Sequence, residues 1–200
     1  MAGKVPDKSR QYFIAIIPPS PVYEEALRLK EYFRDTYNSK ASLNSPPHIT
    51  LHTPFRMKEK KEGELSDKLA RFAGDQESFR MTLRNFSCFS PKVIFIDVET
   101  NPELHALHQA LHRYCIELNL YDATNKEQPE QPFYPHLTLA FRDLKKPNFE
   151  KAWLEFRDKE FYADFAVDSI TLLKHTGKVW QALRNFPLAA AISQPNPRSN

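Results

Sequence analysis

Pro47-His48-Ile49-Thr50-Leu51 and Pro135-His136-Leu137-Thr138-Leu139 spell one pattern twice, Pro-His-(aliphatic)-Thr-Leu, in a chain of 200 residues that contains seven histidines. Side chains alternate between the two faces of a strand. His and Thr therefore project to one side, while the aliphatic residue and the Leu enter a core. The proline ahead of each copy favours extended backbone. One copy alone reads as a strand with a capping His and a Thr chosen for β-propensity. Two equivalent copies ask for a shared purpose.

Working outward, the two halves repeat one order. Tyr12 to Ile17 is a compact apolar run closed by Pro18-Pro19, a buried strand. Ser20-Pro21 opens a helix with Glu24 and Glu25 in its first turns and Val22, Ala26, Leu29 and Phe33 at helical spacing. The first motif strand follows. Lys58 to Lys61 is a charged loop or helix entry, and Leu65, Leu69 and Phe72 mark a short amphipathic helix to Gly74. Ser78 to Phe89 alternates as a strand and turns at Ser90-Pro91 into Val93 to Val98, a hairpin. From there the order recurs. Asn101-Pro102 caps a helix carrying Leu104, Leu107, Leu111, Cys115 and Leu118. A polar loop, Tyr121 to Gln131, leads to the second motif strand, and a helix over 147–159 carries Phe149, Trp153 and Phe156. Phe161 to Leu173 and Lys178 to Leu183 close the fold as strands. The pattern predicts an α+β fold duplicated about a pseudo-twofold axis. Two antiparallel β-sheets form a central groove with helices on the outside, in a single bilobal domain over residues 1–192. The tail 193–200 is disordered in composition.

The bulk numbers agree with such a domain. Hydrophobic residues make up 41% of the chain and charged residues 26%. No apolar run approaches the about 18–20 residues of a membrane span, and the polar start lacks a signal-peptide core. Two cysteines, Cys88 and Cys115, make no disulfide scaffold, so a reducing cytosol is expected; separately, the chain is expected to be a monomer. The net charge of +3 tolerates an anionic ligand without demonstrating one.

Two histidines facing each other across one groove suit general acid–base work, because an imidazole with a pKa of about 6.5 is neutral or protonated near neutrality. The two threonine hydroxyls beside them suit the oxygens of a phosphate. No Ser or Cys nucleophile adjoins either His, and no carboxylate cluster accompanies them, so no cofactor or metal is called for. The chemistry that fits is acid–base cleavage of a phosphodiester, with the two ring nitrogens roughly 5–8 Å apart around one phosphate.

These stretches resemble the 2H phosphoesterase superfamily, the LigT-like group of RNA 2′,3′-cyclic phosphodiesterases and 2′-5′ RNA ligases. The resemblance spans nearly the whole chain, from the opening Tyr12-Phe13-Ile14-Ala15-Ile16 to Ile170-Thr-Leu-Leu-Lys174 and Gly177-Lys-Val-Trp180. It implies that His48 and His136 are the catalytic pair and that Thr50 and Thr138 bind phosphate. One His would activate water and the other protonate the leaving ribose oxygen, assigned here to His136 and His48 respectively. The implied substrate is an RNA end or nucleotide carrying a 2′,3′-cyclic phosphate, opened to a 2′-phosphate, with reversible 2′-5′ ligation as a companion activity. Many members that process RNA ends carry an Arg five residues after the second His. Phe141 stands there, and Arg142 is one further on; by strand parity Arg142 shares the face of His136 unless a bulge intervenes. Parity also places His52 and Tyr134 on the groove face as candidate substrate contacts. His105, His108 and His112 line one helix face and read as solvated. The competing readings are a non-catalytic nucleotide- or RNA-binding module that keeps the groove, and a structural protein in which the two histidines lie apart.

Overall fold

The two motif strands lie side by side at the centre of one sheet. The computed structural model describes residues 8–120 and 132–191. The polar loop 121–131 and the tail 193–200 expected from the sequence lie outside the described residues. The strands are β1 (Ser9–Ile16), β2 (Ile49–Lys58), β3 (Phe79–Phe89), β4 (Val93–Val98), β5 (His136–Ala140), β6 (Tyr162–Val167), β7 (Ser169–His175) and β8 (Trp180–Pro187). The helices are α1 (Val22–Tyr37), α2 (Glu62–Gly74), α3 (Pro102–Glu117) and α4 (Lys146–Phe156). A short 3₁₀ turn, Ala41–Asn44, precedes the first motif.

The sheet runs β6-β3-β4-β5-β2-β1-β7-β8, antiparallel at every pairing between these strands. Its two four-stranded halves, one per motif, share an inner edge where Ile49 of β2 pairs with Leu137 of β5. The halves interleave, because the first is completed by β7 and β8 from the far end of the chain. The stretch 161–173, expected as one strand, is two. The alternation of buried Ala163, Phe165 and Val167 stops at Asp168, and Ile170-Thr171-Leu172 is buried on both faces. β6 pairs with β3 and β7 with β1 and β8, so Asp168 carries the chain from one half to the other.

The helices form where the sequence signals them and cover one face of the sheet. Asn101 caps α3, its side-chain oxygen accepting the Leu104 N–H at 2.7 Å. α1 packs against β5 and α3 against β2, so each half's first helix lies on the other half's motif strand. Ile14, Ile16, Ile49, Leu51, Leu137 and Leu139 point into this helix-covered core. Phe13, Ala15 and Leu173 form a separate small cluster on the other face, with Trp180 against them. Among the described residues, no helix is long and apolar enough to cross a membrane.

Phe156 of α4 ties helix to helix and helices to sheet, with its ring against Phe33 and Tyr32 of α1 and Phe86 of β3. It is 2% exposed. Phe156→Ala is expected to cost about 3–5 kcal/mol of unfolding free energy, measured by urea titration. A loss within about 0.5 kcal/mol, the range of ordinary surface substitutions, would contradict this packing.

Candidate active site

The pairing of Ile49 with Leu137 sets the register of the motifs. In an antiparallel pair this places His48 across from Thr138 and Thr50 across from His136, all four on the face away from the helices. The two histidines are then diagonal neighbours, a relation that separates backbone positions by about 7–8 Å.

Each imidazole is held by the same local device. Nδ1–H of His48 donates to the Pro46 carbonyl at 2.7 Å, and Nδ1–H of His136 donates to the Tyr134 carbonyl at 2.8 Å, two residues back in both cases. A carbonyl only accepts, so Nδ1 carries the proton and Nε2 of the neutral ring is left as a free acceptor. Phe13 packs on His48 at 4.9 Å between ring centroids and Phe95 on His136 at 4.8 Å. Among the described residues, neither the Thr50 nor the Thr138 hydroxyl is hydrogen-bonded, whereas Thr82 and Thr171 both are. Two free hydroxyls and two free ring nitrogens thus share one face.

The surroundings of the two rings differ. Burial pushes the His48 pKa down to about 4, opposed by its bond to Pro46 and reinforced by the charges of Lys30 and His136. Burial also lowers the His136 pKa, but the bond to Tyr134 and the Asp97 carboxylate pull it back up. Asp97 pairs with His136 across β4 and β5. The Asp97 carboxylate thus favours the proton on His136, and the Lys30 ammonium disfavours it on His48.

A bulge in each motif strand decides which further residues reach the site. Ala15 and Ile14 oppose Thr50 and His52, leaving Leu51 extra; Phe95 and Ile94 oppose Thr138 and Ala140, leaving Leu139 extra. Past Leu51 the parity slips, which overturns the placement of His52 on the groove face. His52 lies on the core side, 9% exposed, with Nε2 at 2.5 Å from the Leu120 carbonyl. Past Leu139 the same slip puts Phe141 on the groove side. Arg142 reaches the cleft by turning out of the strand at φ 58°, with its guanidinium 4.9 Å from the centre of the Phe141 ring. Both line a cleft of about 200 Å³ with His48, Thr50, Trp180, Lys178 and His175. Two larger clefts, of about 490 and 500 Å³, lie away from both motifs. Tyr134 stands beside His136, 48% exposed, its hydroxyl donating to Asp97 at 3.2 Å. Phe89, 42% exposed, sits edge-on to Tyr134 and His136. The alternation of β3 offers no hint of Phe89's role, because its partners arrive from β4 and β5. His105 and His108 pack on Phe133, so that helix face is partly covered by the approach to β5.

Comparison with known proteins agrees with this architecture. The 2′-5′ RNA ligase superfamily matches residues 18–179. A curated "Putative phosphoesterase" of Geobacillus kaustophilus (strain HTA426) is 30% identical over 165 residues, covering 82% of this chain and 87% of that one. Among solved structures, E. coli LigT complexed with 3′-AMP superposes with a TM-score of 0.64 at 21% identity, over 90% of this chain and 99% of LigT. TT0787 of Thermus thermophilus superposes with a TM-score of 0.63 at 25% identity, over 91% of this chain and all of that one. The chain belongs to the 2′-5′ RNA ligase superfamily of 2H phosphoesterases, and its curated relatives are phosphoesterases by name.

The burial of the two rings sets a pH dependence. His48 is neutral in the folded state down to about pH 4, while an unfolded His takes up its proton at about 6.5. The unfolded state therefore binds more protons between these values, and stability is lost as pH falls through that window. A ring-proton NMR titration is expected to place the His48 midpoint at about 4 and that of His136 below the ordinary His value. A His48 midpoint at about 6.5 would contradict the site as described.

Proposed function

We propose that the protein is a phosphodiesterase that opens a nucleoside or RNA 2′,3′-cyclic phosphate to a 2′-phosphate by two-histidine acid–base catalysis. The observation that carries this reading is the paired device. Both rings are held through Nδ1 to the carbonyl two residues back, with free Nε2 atoms and free threonine hydroxyls in one quartet. The cyclic phosphate sits between the rings, with Thr50 and Thr138 donating to its non-bridging oxygens. His48, the ring favoured as neutral, takes a proton from water as that water attacks phosphorus. His136, the ring favoured as cationic, gives its proton to the 3′ oxygen as the P–O3′ bond breaks. One P–O bond forms and one breaks, and the proton count balances with His48 protonated and His136 neutral. Running the same steps with a ribose hydroxyl in place of water gives 2′-5′ ligation. The aromatic ledge of Phe89 and Tyr134 offers a stacking surface for an unpaired base, and LigT, of the same fold, has been crystallised with 3′-AMP.

The test is a panel of 2′,3′-cyclic, 3′,5′-cyclic and 2′-5′-linked substrates assayed with EDTA present. Turnover of the 2′,3′-cyclic compounds to 2′-phosphates is expected, with His48→Ala and His136→Ala each lowering kcat by about 10²–10⁴-fold. A profile of kcat/KM against pH is expected to be bell-shaped. Its acid limb falls at about 4, where His48 becomes protonated, and its alkaline limb lies below about 6.5, where His136 loses its proton. Nucleotide binding without turnover of any phosphodiester would favour a binding module that keeps the groove.

A further inference from the structure

Lys30 stands in the middle of the buried stripe of α1, between Ala26 and Phe33, and is 1% exposed. Among the described residues, no carboxylate pairs with it. Its ammonium donates instead to the backbone carbonyls of Ser42 at 2.8 Å and Ser45 at 2.9 Å. The residue after Ser45 is Pro46, whose carbonyl receives the Nδ1–H of His48. The same turn is gripped from the other motif. Asp143, just past β5, accepts from the Ser39 hydroxyl and from the backbone N–H groups of Lys40 and Ala41, each at 3.0 Å. A buried cation without a counter-charge is costly, and an apolar chain of similar length would fill the helix stripe without that cost. What the ammonium adds is two anchored carbonyls immediately ahead of His48, and a positive charge beside its ring.

We infer that Lys30 is a positioning residue for His48: its ammonium fixes the 42–46 turn, so that the Pro46 carbonyl holds the imidazole with Nε2 toward the substrate. This rests on the two-histidine reading above and assigns a residue to the support of its base. The charges around the pair fit the assignment. His48 faces Lys30 from α1 and His136 from β5, and its cleft is lined by His175 at the end of β7, by Lys178 between β7 and β8 and by Arg142 after β5, with no carboxylate among the lining residues. His136 faces Asp97 from β4 instead. Tyr134, whose carbonyl holds His136, is tethered through its hydroxyl to that same Asp97. A cation thus backs the support of one ring and an anion backs the support of the other. Burial pushes the Lys30 pKa down to about 7, so its charge is in place throughout the acidic range in which the pair is expected to work.

The experiment compares full-length Lys30→Met, Lys30→Gln and Lys30→Arg with the parent protein. Melting is followed by circular dichroism, the His48 and His136 tautomers by long-range ¹H–¹⁵N NMR, and kcat and KM against pH on a nucleoside 2′,3′-cyclic phosphate. Folded Lys30→Met is expected to lower kcat by about tenfold or more with KM little changed. Its kcat/KM acid limb is displaced from the parent's, and the His48 signal becomes a mixture of tautomers while His136 keeps its own. Lys30→Arg is expected to keep the parent's limb and tautomer. If Lys30→Met fails to fold, the Gln and Arg variants decide, with a displaced limb and mixed His48 tautomers in Lys30→Gln alone as the supporting result. Parent-like kcat, limb and His48 tautomer in a folded neutral variant would overturn the inference, as would equal disturbance of both rings. The tautomer readout needs no substrate, so absence of turnover in the parent sinks the acid–base reading and leaves the role of Lys30 separately tested.

Discussion

The pairing of β2 with β5 at Ile49 and Leu137 is the contact on which the rest of the molecule depends. It joins two four-stranded halves into one sheet and, because side chains alternate, it determines at one stroke that two histidines and two threonines share a face. A slip of one residue in that register would turn one strand over relative to the other, sending one motif's His and Thr into the helix-covered core and bringing its aliphatic residue out. Burial of Ile49 and Leu137 and of Leu51 and Leu139, all 2% exposed or less, opposes the slip. The crossed packing of α1 on β5 and α3 on β2 holds the halves together from behind. The face that carries the four motif side chains is thus secured by apolar burial at the back.

On this symmetric frame sit unsymmetric surroundings. Bulges at Leu51 and Leu139 recur in the same place, yet the residues they redirect differ: His52 into the core in one half, Phe141 and Arg142 to the cleft in the other. The rings differ likewise, with Lys30 beside His48 and Asp97 beside His136. Duplication supplies two equal imidazoles, whereas acid–base catalysis needs two unequal ones. The inequality comes from single residues on neighbouring elements.

Much of this was legible in the sequence because the governing signals are local. Proline before each motif, the His-X-Thr alternation, the Asn101-Pro102 helix start and the turn at Ser90-Pro91 all act within a few residues, and the strands and helices form where they predict. What escaped depends on residues distant in sequence. A bulge is set by the partner strand, so strand parity placed His52 on the groove side wrongly and reached Arg142 by a path the backbone does not take. Asp168 carries no local signal, yet it is where the chain crosses from one half to the other. Lys30 lies in a spacing otherwise filled by Val22, Ala26, Phe33 and Tyr37. A lysine in such a stripe is itself a signal, but its partners are carbonyls of a later turn, which no side-chain pattern reveals.

In the proposed mechanism one phosphate is held by both rings at once. This is tested most directly by adding a nucleoside 2′-phosphate, the proposed product, to ¹⁵N-labelled protein and following the imidazole Nε2 signals. The Nε2 signals of His48 and His136 are expected to move together along one saturation curve at one ligand per chain, with Nδ1 of each still protonated. Movement of only one ring, or two separate curves, would contradict a shared phosphate site.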